Sequence, residues 1–381
     1  MTHMKQFACL WLLLLLPCKG IAQTGEPQIG EQPTGDPTDY YYLNDELRAT
    51  PFGYMTRNMR EIQFYFNADG VVYMRDWVDY GAYLKGTYDA AAGTISFPNK
   101  QNVERVQFGV GSKMQMMYFA VTDPATGLPK ADNLVLQVKT VGGKRVISAE
   151  KDINYGLFYD DEGQTHPYWL ARRASFINKT TVDALTTTVH YTAMDYSDGS
   201  DPVDRRLSCV AIGNDIYLKG IDGIFSNIWT HAVLTIDNGT PSLLIPNDQY
   251  VSNYSVKENF LMKTGTRSGE TPPTMEGHQG IRFTMTHDAP NHIYKCTAPA
   301  TDVIGIVEAF TDGRLSWATV YGKIEIELPE SMVSGTTGID RIATDKADES
   351  TDRLYYDLQG RPTTTPAHGI FIHHGKKVVV E

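Results

Sequence analysis

Apolar and polar residues alternate along this chain in short runs, each closed by Gly, Asn, Asp or Pro, and no run keeps a helical period for long. In the first half, Glu61–Phe66, Val71–Met74, Ala82–Tyr88, Thr94–Phe97 and Met114–Val121 read as strands between turn clusters such as Asn-Ala-Asp-Gly. Leu134–Lys139 and Lys144–Ser148 flank Val141-Gly142-Gly143, a hairpin signal. Tyr155–Tyr159 and Tyr168–Ile177 follow across the acidic turn Asp160-Asp161-Glu162-Gly163. The second half replays this order with Leu207–Ile212, Ile216–Lys219, Trp229–Ile236, Ser242–Ile245, Asn259–Met262, Gly280–Thr286 and His292–Cys296.

The replay extends to motifs. Val72–Gln101 and Ile216–Gln249 both open on an aliphatic–Tyr pair, Val72-Tyr73 and Ile216-Tyr217. Both pass through an aromatic at a strand start, Tyr83 and Trp229, and both close on Pro-Asn-x-Gln, at Pro98–Gln101 and Pro246–Gln249. Trp169 and Trp317 are separated by the same interval as those two motifs, which suggests one core plug used twice. The expected fold is all-β: two tandem antiparallel β-domains, sandwich or barrel, related by an internal repeat, with a small C-terminal β-hairpin tail. A β-propeller is the alternative, since short strands with Gly-rich turns also suit its blades.

The ends of the chain change the picture. Lys5, the apolar run Leu10–Leu16 and the small residues of Gly20-Ile21-Ala22 have the layout of a secretory signal peptide, too short for a membrane span. Cys18 leaves lipoprotein processing open, although Pro17 stands where that processing wants a small residue. The expected division is a signal peptide at 1–22, a flexible linker at 23–39, a first β-domain at 40–190 and an acidic linker at 191–204. A second β-domain at 205–330, a linker at 331–352 and a tail at 353–381 complete it.

Composition narrows function by exclusion. A net charge of −11 and a pI near 5.4 argue against a nucleic-acid surface, which needs a basic face. Once the signal peptide leaves, Cys209 and Cys296 remain, and in an oxidising compartment two thiols either pair or stay as small buried hydrophobes. Asp195, Asp198, Asp201 and Asp204 surround Gly199 in a loose semblance of a calcium loop, but the spacing departs from D-x-D-x-D-G and the composition suits a linker.

Leu354–Arg361 reads LYYDLQGR, Gly369–Ile372 reads GIFI, and Gly375–Val380 reads GKKVVV. These three motifs, in this order, resemble the C-terminal sorting segment of proteins exported by the type IX (Por) secretion system of Bacteroidetes. The resemblance implies such a bacterium, passage across the outer membrane, and secretion machinery as a partner of the tail. The family's sorting domain is longer, with further strands before YDLxGR, whereas a polar linker precedes Leu354 here. The body is also similar to repeats in secreted proteins of the same bacteria that carry no assigned activity.

Catalytic motifs are missing: the sequence has no G-x-S-x-G, H-E-x-x-H, P-loop or dinucleotide fingerprint. His278, His287 and His292 form the densest histidine group outside the tail and are expected in solvated loops; Asp160, Asp161, Glu162 and Asp312 are the acids a glycosidase could use, but they sit in tight turns. Trp77, Trp169, Trp229 and Trp317 could stack on sugars, and recurrence favours core packing. No catalytic, cofactor-binding or metal residue is assigned. The expected function is an exported, non-enzymatic β-repeat protein, surface-associated or extracellular, acting as a structural module or binding a glycan or protein. The alternative is a secreted hydrolase acting on a host or dietary polymer.

Overall fold

The computed structural model describes residues 37–333, apart from 51–52, 76–82, 108–112, 124–125, 142–143, 150–153, 238, 256–257, 270–272, 276–277 and 311, together with four short strands between 355 and 380. The proposed signal peptide, Cys18, Trp77 and most of the linker at 331–352 therefore lie outside the described residues.

In chain order the first half holds β1 (Thr38–Thr50), β2 (Gly53–Phe66), β3 (Val71–Arg75), β4 (Tyr83–Asp89), β5 (Thr94–Phe97), β6 (Asn102–Gln107), β7 (Met114–Thr122), β8 (Leu134–Val141), β9 (Lys144–Ala149), β10 (Asn154–Asp161), β11 (Gln164–Asn178) and a short helix α1 (Lys179–Leu185). The second half holds β12 (Thr187–Asp195), β13 (Asp201–Ile212), β14 (Asp215–Lys219), β15 (Trp229–Asp237), β16 (Thr240–Pro246), β17 (Gln249–Ser255), β18 (Glu258–Thr266), β19 (Gly280–Asp288), β20 (Ile293–Thr297), β21 (Asp302–Phe310), β22 (Leu315–Trp317), β23 (Tyr321–Pro329) and one turn of helix, α2 (Glu330–Val333).

The protein is all-β, with two closed eight-stranded antiparallel barrels. The first ring runs β1–β2–β3–β4–β5–β8–β9–β11 and back to β1. The second runs β12–β13–β14–β15–β16–β19–β20–β23 and back to β12. Each barrel carries a side sheet on its last strand: β6–β7–β10 on β11, and β17–β18–β21 on β23. The two rings therefore match strand for strand, as the motif replay implies, and no propeller is formed.

Period-two burial builds these walls. β5 (TISF) and β19 (GIRFTMTHD) bury every second side chain, so one face fills the barrel and the other faces outward. Phe64, Met74, Leu84, Ile95, Phe97, Leu136 and Phe176 fill the first barrel; Leu207, Leu218, Leu234, Leu243, Phe283 and Ile326 fill the second. An eight-stranded ring is about wide enough for side chains to fill, and closure leaves no ring edge open to pairing.

The repeated motif is a backbone clamp. Gln101 donates from Nε2 to the carbonyls of Lys85 (2.9 Å) and Pro98 (2.9 Å), and its Oε1 accepts from Lys85 N (3.1 Å). Gln249 repeats the pattern with His231 O (3.0 Å), Pro246 O (3.1 Å) and His231 N (2.9 Å). The preceding Asn accepts from the side sheet: Asn99 Oδ1 from Val121 N at 3.2 Å, and Asn247 Oδ1 from Thr264 N at 2.8 Å. Between them Lys100 (φ 57°) and Asp248 (φ 61°) turn left-handed, which aims both amides inward.

Two expectations change. Residues 191–204 are not a linker, because β12 and β13 pair from Thr187↔Cys209 to Asp195↔Asp201, so the second barrel begins at Thr187, straight after α1. Nor is Trp317 the counterpart of Trp169. A Cβ on Gly156 would meet the carbonyl of Trp169, and a Cβ on Gly305 that of Thr319, so the structural partner of Trp169 is Thr319, two residues on. Trp169 is fully buried, whereas Trp317 lies half-buried on β22 and donates Nε1–H to Pro273 O at 3.2 Å.

The barrels meet through outer faces. Tyr41, Met59, Ile177 and Val182 of the first bury Val210, Ile212, Tyr217 and Trp229 of the second, with Tyr41 edge-on to Trp229 at 6.0 Å. In the tail, β24 (Tyr355–Tyr356), β25 (Pro362–Thr363), β26 (Gly369–His373) and β27 (Lys376–Val380) form their own sheet in the order β25–β24–β26–β27, separate from the barrel strands.

Candidate functional site

Four groups of ionisable side chains come together from distant strands. At the barrel junction the Tyr41 hydroxyl lies 3.3 Å from Glu61 Oε1 and 3.4 Å from Asp183 Oδ1, while Lys179 Nζ pairs with Glu61 and stands over the Tyr41 ring. Burial, reinforced by the Glu61 and Asp183 charges, pushes the Tyr41 hydroxyl up to about 12. It therefore stays protonated and donates, bridging β1 to α1. Two carboxylates on one hydroxyl are the nearest thing to a catalytic pair, yet the amine of Lys179 already holds Glu61.

The second group closes one end of the second barrel. Asp222 is 2% exposed; its Oδ1 accepts from Ile224 N and Phe225 N, both at 2.8 Å, and its Oδ2 accepts from Thr319 Oγ1 at 2.6 Å. Three bonds satisfy the buried carboxylate and fix the loop between β14 and β15. Arg205 lies between the Tyr191 and Tyr321 rings and reaches the Ile221 carbonyl at 3.2 Å. Burial raises the phenols of Tyr191 and Tyr321. The first barrel repeats the Arg–Tyr stack with Arg60 over Tyr42, so the stack is a feature of the fold.

Histidines make up the other two groups. His190 sits between Glu327 (Nδ1, 3.2 Å) and Asp204 (Nε2, 3.0 Å). Its two ring nitrogens point opposite ways, so the carboxylates cannot share one metal ion with it. His287 Nε2 and His292 Nδ1 approach Glu330 at 3.3 and 3.0 Å. Among the described residues no group of three His, Cys, Asp or Glu is arranged to hold a metal.

The hydrogen bond from His292, ahead of the charges of both histidines, holds the Glu330 carboxyl below its ordinary value of 4.5. A lowered carboxyl stabilises the fold above its unfolded pKa, and that stability is lost as pH falls through the folded value. Glu330→Gln is therefore expected to lower stability at neutral pH, where the ionised carboxylate contributes, and to match the unaltered chain in strong acid well below pH 4.5, which flattens the acid limb of the profile. Equilibrium urea titrations across pH check this.

The chain matches no known family model and no curated protein. Of the expected histidine group, His287 and His292 do converge, on Glu330, while His278 is elsewhere: it bonds Thr264 Oγ1 at 2.7 Å, and its side chain is only 12% exposed, so it is no solvated loop histidine. Asp195 caps its own turn by accepting from Ser197 N at 2.8 Å, and Asp204 turns to His190, so the four Asp do not converge. Asp160 accepts from Thr165 Oγ1 at 2.7 Å and Asp312 pairs with Arg314 at 2.8 Å, each within its own turn. Trp229 belongs to the barrel junction.

Cys209 and Cys296 are unpaired and buried in the second barrel, and Cys209 Sγ touches Met332 Sδ at 3.6 Å. Burial drives both thiols up to about 12, which leaves almost no thiolate at neutral pH. Neither should react with a thiol reagent such as Ellman's in the folded protein, and both should react at once in denaturant.

Proposed function

We propose that this chain is an exported, non-enzymatic, two-barrel module that works at the cell surface or in the medium, binding a glycan or protein or serving as structural material. The C-terminal motifs LYYDLQGR, GIFI and GKKVVV carry the export half of this reading. Tyr355-Tyr356, Gly369–Ile372 and Lys376–Val380 of these motifs lie on strands that pair among themselves, apart from the barrel strands. The non-enzymatic half is supported by how the ionisable groups are used. Glu61, Asp222, Asp195 and Glu330 each hold a loop, turn or helix in place.

Deleting 354–381 tests export. The expected result is a folded two-barrel protein that accumulates inside the outer membrane. Truncated protein reaching the surface or medium at the normal level would leave the tail without a sorting role. Glycan and protein arrays probed with the mature chain test binding. The hydrolase alternative has its best footing at Glu61 and Asp183, and turnover of a polymer by the mature chain that disappears in Glu61→Gln would establish it.

A further inference from the structure

The ladders allow position-by-position comparison of the barrels. Tyr41 pairs with Glu61 and Ile177, and His190 pairs with Arg206 and Glu327. Gln63↔Arg75 and Ser208↔Lys219 set the same register for β2 and β13. Counting along the strands, His190 stands where Tyr41 does, Asp204 where Met59 does, and Glu327 where Ile177 does. Three of the four residues that seat the second barrel on the first are thus replaced, on the second, by a histidine and two acids.

The other half of the joint behaves differently. Val210, Tyr217 and Trp229, which enter the socket, have Tyr65, Tyr73 and Tyr83 as counterparts, and these bury against one another. Lys219 over Trp229 is matched by Arg75 over Tyr83. An aromatic face is present on both barrels; the socket is present on one.

We infer that the outer face of the second barrel bearing His190, Asp204 and Glu327 is a closed form of the socket, and that it ends the barrel array. The open socket fits a barrel of the same kind presenting an aromatic–aliphatic face. A joint between unlike faces does not close on itself: an open socket at the far end would offer every copy a place to add, giving filaments. Repeat arrays need end units with polar outer faces for this reason. His190, bonded on both sides, holds the two carboxylates in place at 3.0 and 3.2 Å on an exposed face, and an apolar partner arriving there would have to desolvate them.

The test is to reopen the socket in the full mature chain with the triple variant His190→Tyr, Asp204→Met and Glu327→Ile. A comparator places the same three residue types at Thr286, Lys295 and Thr297, exposed positions on the outer faces of β19 and β20 of the same barrel. Sedimentation across a concentration series should show association about tenfold or more tighter in the socket variant than in either the comparator or the unaltered chain. Equal association of the comparator, or none in the socket variant, overturns the inference. The reverse graft, Tyr41→His, Met59→Asp and Ile177→Glu, gives a second reading that does not depend on the first variant folding. It should split unfolding into two transitions, and a single transition at the unaltered midpoint also overturns the inference.

Discussion

Gly305→Ala should destabilise the second barrel by about 3 kcal/mol or more, a large share of the stability of an ordinary domain. An added Cβ would lie 1.9 Å from the Thr319 carbonyl oxygen and 2.7 Å from its carbon. Those are backbone atoms, so no rotamer change relieves the overlap. The close approach arises where β21 leaves the side sheet and meets the chain entering β23. There Ile306 N donates to Thr319 Oγ1 at 2.9 Å, while Ala318 N donates to Ile306 O at 2.8 Å. Gly156→Ala should do the same to the first barrel, since its Cβ would lie 2.2 Å from Trp169 O. Gly199→Ala is the control: its Cβ would find only the Asp201 carboxylate at 3.8 Å, and the midpoint should barely move. Urea denaturation followed by Trp fluorescence measures all three.

Tyr155–Tyr159, which holds Gly156, read as a strand because it is a short apolar run closed by an acidic turn, and β10 and β21 each bury a continuous run of side chains around their glycine. The neighbouring tryptophans misled. An equal interval in sequence suggested that Trp169 and Trp317 were equivalent, but the ladder slips by one residue at the same place in both halves, setting Trp317 opposite Val307 as Pro167 is opposite Phe158, so Trp317 matches Pro167. Intervals do not register strand partners; backbone pairing does.

β12 was lost for a different reason. Val189, Tyr191 and Ala193 alternate inward, but Thr188, His190 and Thr192 stand between and beside them, and the strand runs on into Asp195-Tyr196-Ser197-Asp198-Gly199-Ser200. That much polarity resembles a linker until β23 is laid beside it. The candidate site was less legible still. His190, Asp204 and Glu327 come from three strands, and Tyr41, Glu61 and Asp183 from two strands and a helix, so no spacing in the chain announces either group. Only closing the barrels brings them together.

Gln249→Ala should cost the second barrel about 2–4 kcal/mol. The side chain is 4% exposed and spans the gap between β15 and the β16–β17 turn. Truncation strips His231 N–H of this acceptor and the carbonyls of His231 and Pro246 of this donor. Leaving such groups buried costs more than the bonds contributed, because water that would solvate them is shut out. Gln249→Glu separates the parts of this argument. It keeps the acceptor for His231 N but replaces the amide donor with a negative oxygen facing two carbonyls, so it should be at least as damaging as Ala at neutral pH. Protonating that Glu restores a donor, so the deficit of Gln249→Glu should shrink as pH falls, whereas that of Gln249→Ala should not. Gln101→Ala should follow the same direction in the first barrel with a smaller loss, since Gln101 is only half-buried and water can reach part of what it leaves. If Gln249→Glu and Gln249→Ala showed the same dependence on pH, the clamp would be a packing contact rather than a set of hydrogen bonds.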